Sequence, residues 1–222
     1  MVKIVIAVIA CLLTGCASAG TDASAGGTPP PFQTWQALRF ASVVRQQTDF
    51  TCGAASLSTI SEHYFKRPIT EAQFTQTMHA RYTDEVWREK EKDGLSLLDM
   101  KLAAEKLGFK AEGVKMTIDD ALDLQGPIII HLDKGYVKHF SVLRGIRGDR
   151  AYLSDPVIGN VRIPLYRLAE QWTGYALAIW VYGEPLPVDH GLLIKATDLT
   201  HETPAARRFL YTQPPPPVPN RL

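Results

Sequence analysis

The chain has 222 residues and a formal net charge of +1, and 45% of its residues are hydrophobic. This length and composition are typical of one globular domain with tails, and they exclude a mostly disordered chain. Lysine and arginine are scattered rather than gathered into a stripe, so the sequence predicts no nucleic-acid partner.

Residues 1–19 have the pattern of a secretory signal peptide. A short basic start precedes an apolar run over residues 4–13 that is too short to span a membrane. Two cleavage sites compete: Leu13–Cys16 resembles a bacterial lipobox, and Ala17–Ala19 fits an ordinary small-x-small site. We favour the lipobox because all four of its positions match. The sequence therefore predicts a periplasmic protein, with Cys16 as a candidate lipid anchor to the outer membrane.

Three segments are predicted after the signal peptide is set aside. Residues 20–39 form a linker rich in Gly, Ser, Ala and Pro that ends in a short amphipathic arm. Residues 40–182 form the folded domain, which opens with a short strand or extended lead-in over Phe40–Val44. Residues 183–222 form a proline-rich extension, for which a solvated tail is favoured over a partner-binding segment.

Helices dominate the first half of the domain. Apolar residues at helical spacing predict helices over Cys52–Phe65, after Thr70, over the charged stretch Tyr82–Asp93, and from Ser96 or Asp99 to Gly108. Val86 and Trp87 are the only apolar anchors of the charged helix.

Strands dominate the second half. They are predicted near residues 109–114, at the apolar run Ile128–Leu132, over Lys138–Arg144 and Arg150–Ser154 as a hairpin, and over Tyr175–Tyr182, with helices over residues 117–122 and 164–172. The predicted class is α+β, with N-terminal helices packed on an antiparallel sheet.

Cys52 follows a polar loop and begins a predicted helix. The open N–H groups and positive dipole end of a helix N-terminus stabilise a thiolate. Cys11 leaves with the signal peptide and Cys16 is either removed or lipidated, so Cys52 is the only free thiol expected in an oxidising compartment. A buried structural cysteine is the alternative, but a solitary thiol in that compartment favours a nucleophile.

A nucleophilic thiol needs a base, and the base needs an acceptor that orients it. If the hairpin turn is centred near Arg147, antiparallel pairing places His139 directly opposite Asp155, with Cβ atoms about 5 Å apart. Taken alone, Asp155 before Pro156 would be interpreted as a turn former. The backbone N–H of Cys52, with a side-chain amide from Gln46 or Gln47, is the candidate oxyanion donor set.

Several segments together resemble the peptidase C39 family. They are Gln46 with Cys52–Ala55, Gly126–Ile129, His139–Val142 and Asp155–Pro156 with Gly159, and the resemblance spans residues 43–181. Members of that family are papain-like domains that cleave leader peptides after a double-glycine motif, usually at the N-terminus of bacteriocin-exporting ABC transporters.

The resemblance implies a papain-like fold and a role for each matching residue. It makes Cys52 the nucleophile, His139 the base and Asp155 the orienting carboxylate. Gln46 rather than Gln47 becomes the oxyanion donor, because Gln46 holds the family's spacing to the cysteine.

The sequence also departs from the transporter members of the family. From this sequence we expect no transmembrane bundle and no ATPase, and we expect export through the predicted signal peptide. A stand-alone exported member resembles the accessory peptidases of functional-amyloid secretion operons. This resemblance implies an exported protein substrate, cut at a Gly-rich leader-type site, and an outer-membrane secretion component as a partner.

Two other functions remain open at this point. One is a non-catalytic peptide-binding module that docks secretion substrates, although such modules usually lack the cysteine. The other is a related acyl transfer, such as amide hydrolysis or crosslinking. The sequence carries no metal-ligand spacing and no phosphate-binding glycine loop, so we expect no metal and no cofactor.

Overall fold

The structure is a computed structural model that describes residues 34–135, 137–195 and 198. The predicted signal peptide, Cys16, most of the linker and the run Pro214–Pro217 lie outside these residues. Among the described residues, no helix combines the length and the apolar character needed to cross a membrane.

Seven helices are described. They are α1 (Trp35–Arg39), α2 (Cys52–His63), α3 (Glu71–His79), α4 (Asp84–Asp93), α5 (Leu97–Lys106), α6 (Ile118–Leu122) and α7 (Leu165–Gln171). Capping boxes begin α3, α5 and α6, where Thr70, Ser96 and Thr117 each accept the N3 backbone N–H. The predicted order of helices in the first half of the domain is confirmed.

Six strands form one antiparallel sheet. They are β1 (Lys110–Lys115), β2 (Ile128–Asp133), β3 (Lys138–Arg147), β4 (Arg150–Asp155), β5 (Gly159–Pro164) and β6 (Trp172–Trp180), in the order β1-β6-β2-β3-β4-β5. Only β5 was not predicted, because it opens with Gly159-Asn160 and ends at Pro164, residues that are typical of turns. The α+β class is confirmed.

Hydrophobic residues pack on both faces of the sheet. Neighbouring residues of β2 separate the two cores, since Ile129 belongs to one and Ile130 to the other. The first core joins the sheet to α2, α3 and α5, through residues such as Leu57, Phe74, Met100 and Val142. This packing fixes the N-terminus of α2 relative to β3 and β4.

The predicted strand or extended lead-in at Phe40–Val44 is wrong. The chain turns there, with Ser42 at a φ of 56° and the N–H of Val43 donating to the carbonyl of Phe40. Asn160 of β5 donates its side-chain N–H to the carbonyl of Ala41. This contact with an edge strand holds the turn, and the local sequence could not reveal it.

The prediction of a solvated C-terminal tail is wrong for its first part. Leu192 is 1% exposed and belongs to the core that α2 covers. Arg144 of β3 donates to the carbonyls of Leu192 and Leu193, and the N–H of Gly191 donates to the carbonyl of His63. The domain therefore continues past residue 182, because this segment brings its own apolar anchor despite its proline-rich surroundings.

Candidate active site

The N-terminus of α2 carries Cys52 and is left open by its own cap residue. Thr51 occupies the N-cap position, but its side chain makes no hydrogen bond to the helix. Its Oγ1 donates instead to the carbonyl of Thr48, at 2.9 Å. The N–H groups of the first turn of α2 are thus free to meet a negatively charged atom beside the Cys52 sulfur.

Gly53 lets α2 approach α5 closely. A Cβ at this position would lie 2.7 Å from Sδ of Met100, which is fully buried. The small residue after Cys52 therefore has a packing role, and it keeps the start of α2 pressed against α5.

His139 connects Asp155 to Cys52. Its Nε2 lies 3.0 Å from Oδ2 of Asp155, and the side chain of Cys52 is near enough to help raise the pKa of the imidazole. Because Nε2 is bonded to Asp155, Nδ1 is the ring nitrogen available to interact with the thiol of Cys52. Cys52, His139 and Asp155 are 8%, 6% and 2% exposed, so this chain of contacts is shielded from water.

The predicted register of the β3–β4 hairpin is wrong by two residues. Leu143 pairs with Leu153, and continuing that register places Ser141, not His139, opposite Asp155. The turn consists of residues 148–149 rather than being centred on Arg147, which alone would offset the pairing by three residues, and a bulge between Leu143 and Gly145 reduces the offset to two. Because the final offset is an even number of residues, His139 and Asp155 still lie on the same face of the sheet, where diagonal neighbours can make contact.

The turn after β4 fixes the orientation of the Asp155 carboxylate. Oδ1 accepts the backbone N–H groups of Val157 and Ile158, at 2.9 and 3.2 Å. Oδ2 faces His139 and lies 3.7 Å from Nζ of Lys134. Burial raises the pKa of Asp155, but the hydrogen bond from His139 and these further contacts outweigh it and hold the pKa below its ordinary value.

The environment of His139 favours its protonated form. Burial lowers the pKa of this imidazole, but hydrogen bonds to Asp155 and Cys52 outweigh that effect and raise the pKa to about 9. An imidazole with this pKa holds its proton at neutral pH. It can therefore stabilise a neighbouring thiolate and later give the proton to a leaving group.

Gln46 lies on the loop that leads to Cys52 and contacts the turn beyond Asp155. Its backbone N–H donates to the carbonyl of Pro156 at 3.0 Å, and its Nε2 donates to the carbonyl of Thr48 at 2.8 Å. Nε2 carries a second hydrogen, which this contact leaves free. The other candidate, Gln47, is exposed and its side-chain amide donates to the carbonyl of Arg45.

Two charged residues near the site were not singled out from the sequence. Lys134 faces Asp155, and the buried Glu71 of α3 accepts the backbone N–H of Gln47. Glu71 lies in the first turn of a helix, where an acidic residue is ordinary, so no local signal distinguished it. Within residues 34–135, 137–195 and 198, no three histidine, cysteine, aspartate or glutamate side chains are grouped so that they could hold a metal ion.

Curated relatives match most of the chain. Over 171 residues it is 36% identical to the "Probable functional amyloid protease FapD" of Pseudomonas aeruginosa, covering 76% of this chain and 74% of that protein. Identity to the protein of the same name from Pseudomonas fluorescens is 35% over 166 residues, covering 74% and 71%.

Solved structures with the same architecture include two peptidase domains of transporters. The peptidase domain of Streptococcus ComA, a bifunctional ABC transporter, is 25% identical with a TM-score of 0.54, covering 64% of this chain and 98% of that domain. A double glycine motif protease from an AMS/PCAT transporter, solved with its leader peptide, is 28% identical with a TM-score of 0.53, covering 64% and 95%. These likenesses confirm the predicted papain-like fold.

The family model of the peptidase C39 family matches residues 41–182, which is more than half of the chain. This range includes Gln46, Cys52, His139 and Asp155. On these grounds the chain belongs to the peptidase C39 family and is a cysteine peptidase.

Proposed function

We propose that Cys52 is the nucleophile of this peptidase, His139 its general base and acid, Asp155 the carboxylate that orients His139, and Gln46 an oxyanion donor. One observation carries the proposal: Asp155 bonds to His139, and His139 interacts with Cys52 at the open N-terminus of α2. A nucleophile, a base and an orienting group in this sequence of contacts are the requirements for covalent acyl transfer.

The reaction follows from these contacts. The Cys52 thiolate attacks the substrate carbonyl carbon, and a C–S bond forms as the carbonyl oxygen takes the negative charge. The amide of Gln46 and the backbone N–H of Cys52 stabilise that oxygen. His139 gives its proton to the leaving nitrogen, and the C–N bond breaks. Water, deprotonated by His139, then attacks the acyl-enzyme, and the C–S bond breaks to release the product acid and restore the Cys52 thiolate beside protonated His139.

The substrate in this proposal is an exported protein cut after a Gly-Gly sequence, in support of functional amyloid secretion. The two FapD relatives bear the name of functional amyloid proteases, which supports the setting. The double glycine motif protease that shares this fold was solved with a leader peptide, which supports the type of cleavage site. An outer-membrane secretion component is the partner that this setting implies.

A peptide containing one Gly-Gly sequence tests the proposal. Incubation with the full chain should yield two fragments cut after the second glycine, identified by mass spectrometry, and Cys52→Ala should yield none while keeping its circular dichroism spectrum. Cleavage that survives Cys52→Ala would contradict the assignment of the nucleophile. Tight binding of the peptide without cleavage would favour a binding module instead.

We further propose that the mature protein is periplasmic and is anchored to the outer membrane through a lipid on Cys16. The lipobox pattern at Leu13–Cys16 supports this proposal. Metabolic labelling with palmitate should mark the mature protein, and Cys16→Ala should abolish the label and release the protein into the soluble periplasmic fraction. A wild-type chain without label would contradict the anchor.

A further inference from the structure

Glu71 is a buried acidic residue that the proposed reaction does not use. It lies in the first turn of α3 and is 6% exposed. Its Oε1 accepts the backbone N–H of Gln47 at 3.0 Å. This bond joins α3 to the loop that leads to Cys52, across 24 positions of the chain.

The backbone of Gln46 is held from two directions. Its own N–H donates to the carbonyl of Pro156, directly after Asp155, and the next N–H along the chain donates to Glu71. The peptide groups on both sides of the Gln46 α-carbon are therefore tied to separate elements. These two bonds restrict the position of the Gln46 α-carbon. The hydrogen bond from the side-chain amide to the carbonyl of Thr48 then fixes the orientation of that amide.

The two carboxylate oxygens of Glu71 differ in their contacts. Oε2 is buried and accepts no hydrogen bond from the described residues. A buried polar atom without a partner costs stability, on the order of 1–3 kcal/mol. Glu71 accepts this cost although its other oxygen, Oε1, makes a hydrogen bond with the backbone N–H of Gln47. Glu71 is therefore suited to holding the Gln46–Gln47 peptide in place rather than to stabilising the fold.

From these contacts we infer that Glu71 is a positioning residue for the oxyanion donor. It fixes the peptide between Gln46 and Gln47, and so holds the Gln46 amide where the substrate oxygen becomes negatively charged. Glu71 itself touches neither the substrate nor the thiol. The inference rests on the proposed function, because it assigns Glu71 to the same site.

Two measurements on each variant separate positioning from general damage. Cleavage of a peptide with one Gly-Gly sequence needs the oxyanion donors, whereas alkylation of Cys52 by iodoacetamide develops no oxyanion. For Glu71→Ala we expect kcat to fall about tenfold or more, while KM and the alkylation rate stay within twofold of wild type. Glu71→Gln keeps a carbonyl oxygen at this position and should retain most of kcat.

A second pair of variants tests the same hydrogen bond by changing its donor, Gln47. Gln47→Pro removes the N–H that Glu71 accepts, and Gln47→Ala keeps it. We expect Gln47→Pro to lower kcat as Glu71→Ala does, and Gln47→Ala to leave it unchanged. In the double variant Glu71→Ala/Gln47→Pro the two losses should not add, because both act on one hydrogen bond. If Glu71→Ala fails to fold, the comparison of Gln47→Pro with Gln47→Ala still tests whether this hydrogen bond supports catalysis.

The contrary outcomes are distinct from one another. An unchanged kcat in Glu71→Ala or Gln47→Pro, a parallel fall of kcat and alkylation rate, or no rescue by Glu71→Gln would overturn the role of Glu71 and leave the proposed function standing. A wild-type chain that does not cleave the peptide would contradict the proposed function itself, and this inference with it.

Discussion

Nε2 of His139 lies 3.0 Å from Oδ2 of Asp155, although the two residues are diagonal rather than direct neighbours across the β3–β4 hairpin. A diagonal pair needs the long imidazole to reach across the sheet. The Asp155 carboxylate is meanwhile held by the backbone of its own turn. The result is a buried ion pair whose geometry comes from two strands and one turn.

The His139–Asp155 pair leads to a prediction about how peptide cleavage depends on pH. Asp155 helps to raise the pKa of His139 to about 9, and His139 must be protonated to serve the leaving amine. In wild type we expect kcat/KM for peptide cleavage to fall as the pH rises through about 9. Asp155→Asn removes the charge that raises this pKa, so His139 loses its proton at lower pH and the alkaline fall should begin earlier.

The control for that experiment is Asp149→Asn. Asp149 lies in the hairpin turn with its side chain 82% exposed, and it should leave the pH profile unchanged. An alkaline limb that is the same in Asp155→Asn and in wild type would show that Asp155 does not set the protonation of His139.

A second prediction concerns Asp99, which is 1% exposed and joins α4 to α5. Its carboxylate accepts hydrogen bonds from Tyr82, from Lys90 at 2.7 Å and from Ser96. We expect Asp99→Asn to lower the free energy of unfolding by about 2–3 kcal/mol, because the amide leaves Lys90 without its partner. Urea denaturation measures this loss.

The acid stability of the protein should depend on the same residue. Burial raises the pKa of Asp99, but the bonds from Lys90, Tyr82 and Ser96 outweigh it and hold the pKa below its ordinary value. A depressed pKa stabilises the fold above the unfolded value of about 4, and this contribution is lost as the pH falls below it. Asp99→Asn should therefore flatten the acid side of the stability profile.

Asp120 offers a matched control for the denaturation experiment. It fills the same N3 position of a capping box at the start of α6, but it is exposed. Asp120→Asn should have the smaller effect on unfolding. Equal losses in the two variants would mean that the buried contacts of Asp99 contribute nothing beyond a helix cap.

A third prediction concerns the C-terminal segment. Leu192 is 1% exposed and belongs to the main core, whereas Val188 in the same segment is 90% exposed. Leu192→Ala should cost about 2–4 kcal/mol of stability through lost burial and the cavity left behind. Val188→Ala should cost almost nothing. A Leu192→Ala variant as stable as wild type would show that the segment is not part of the folded domain in solution.

The sequence predicted well what depends on residue type and order. Apolar spacing after Cys52 identified α2, and the polar loop before it placed the thiol at a helix N-terminus. The register of the hairpin was missed because its two-residue turn lies at residues 148–149 rather than at Arg147, and because the bulge between Leu143 and Gly145 cannot be seen in apolar alternation. Glu71 was missed for a similar reason, since its bond to Gln47 exists only when α3 packs beside the loop.

The rate at which iodoacetamide alkylates Cys52 tests the central claim most directly, because it needs no substrate. The thiolate is the species that reacts, so the rate follows its population. At pH 6 we expect wild type to react at least about tenfold faster than His139→Ala, and the difference should shrink as the pH passes about 8.5, where an ordinary thiol ionises unaided. Equal rates at pH 6 would contradict a thiolate stabilised by His139, and with it the proposed nucleophile.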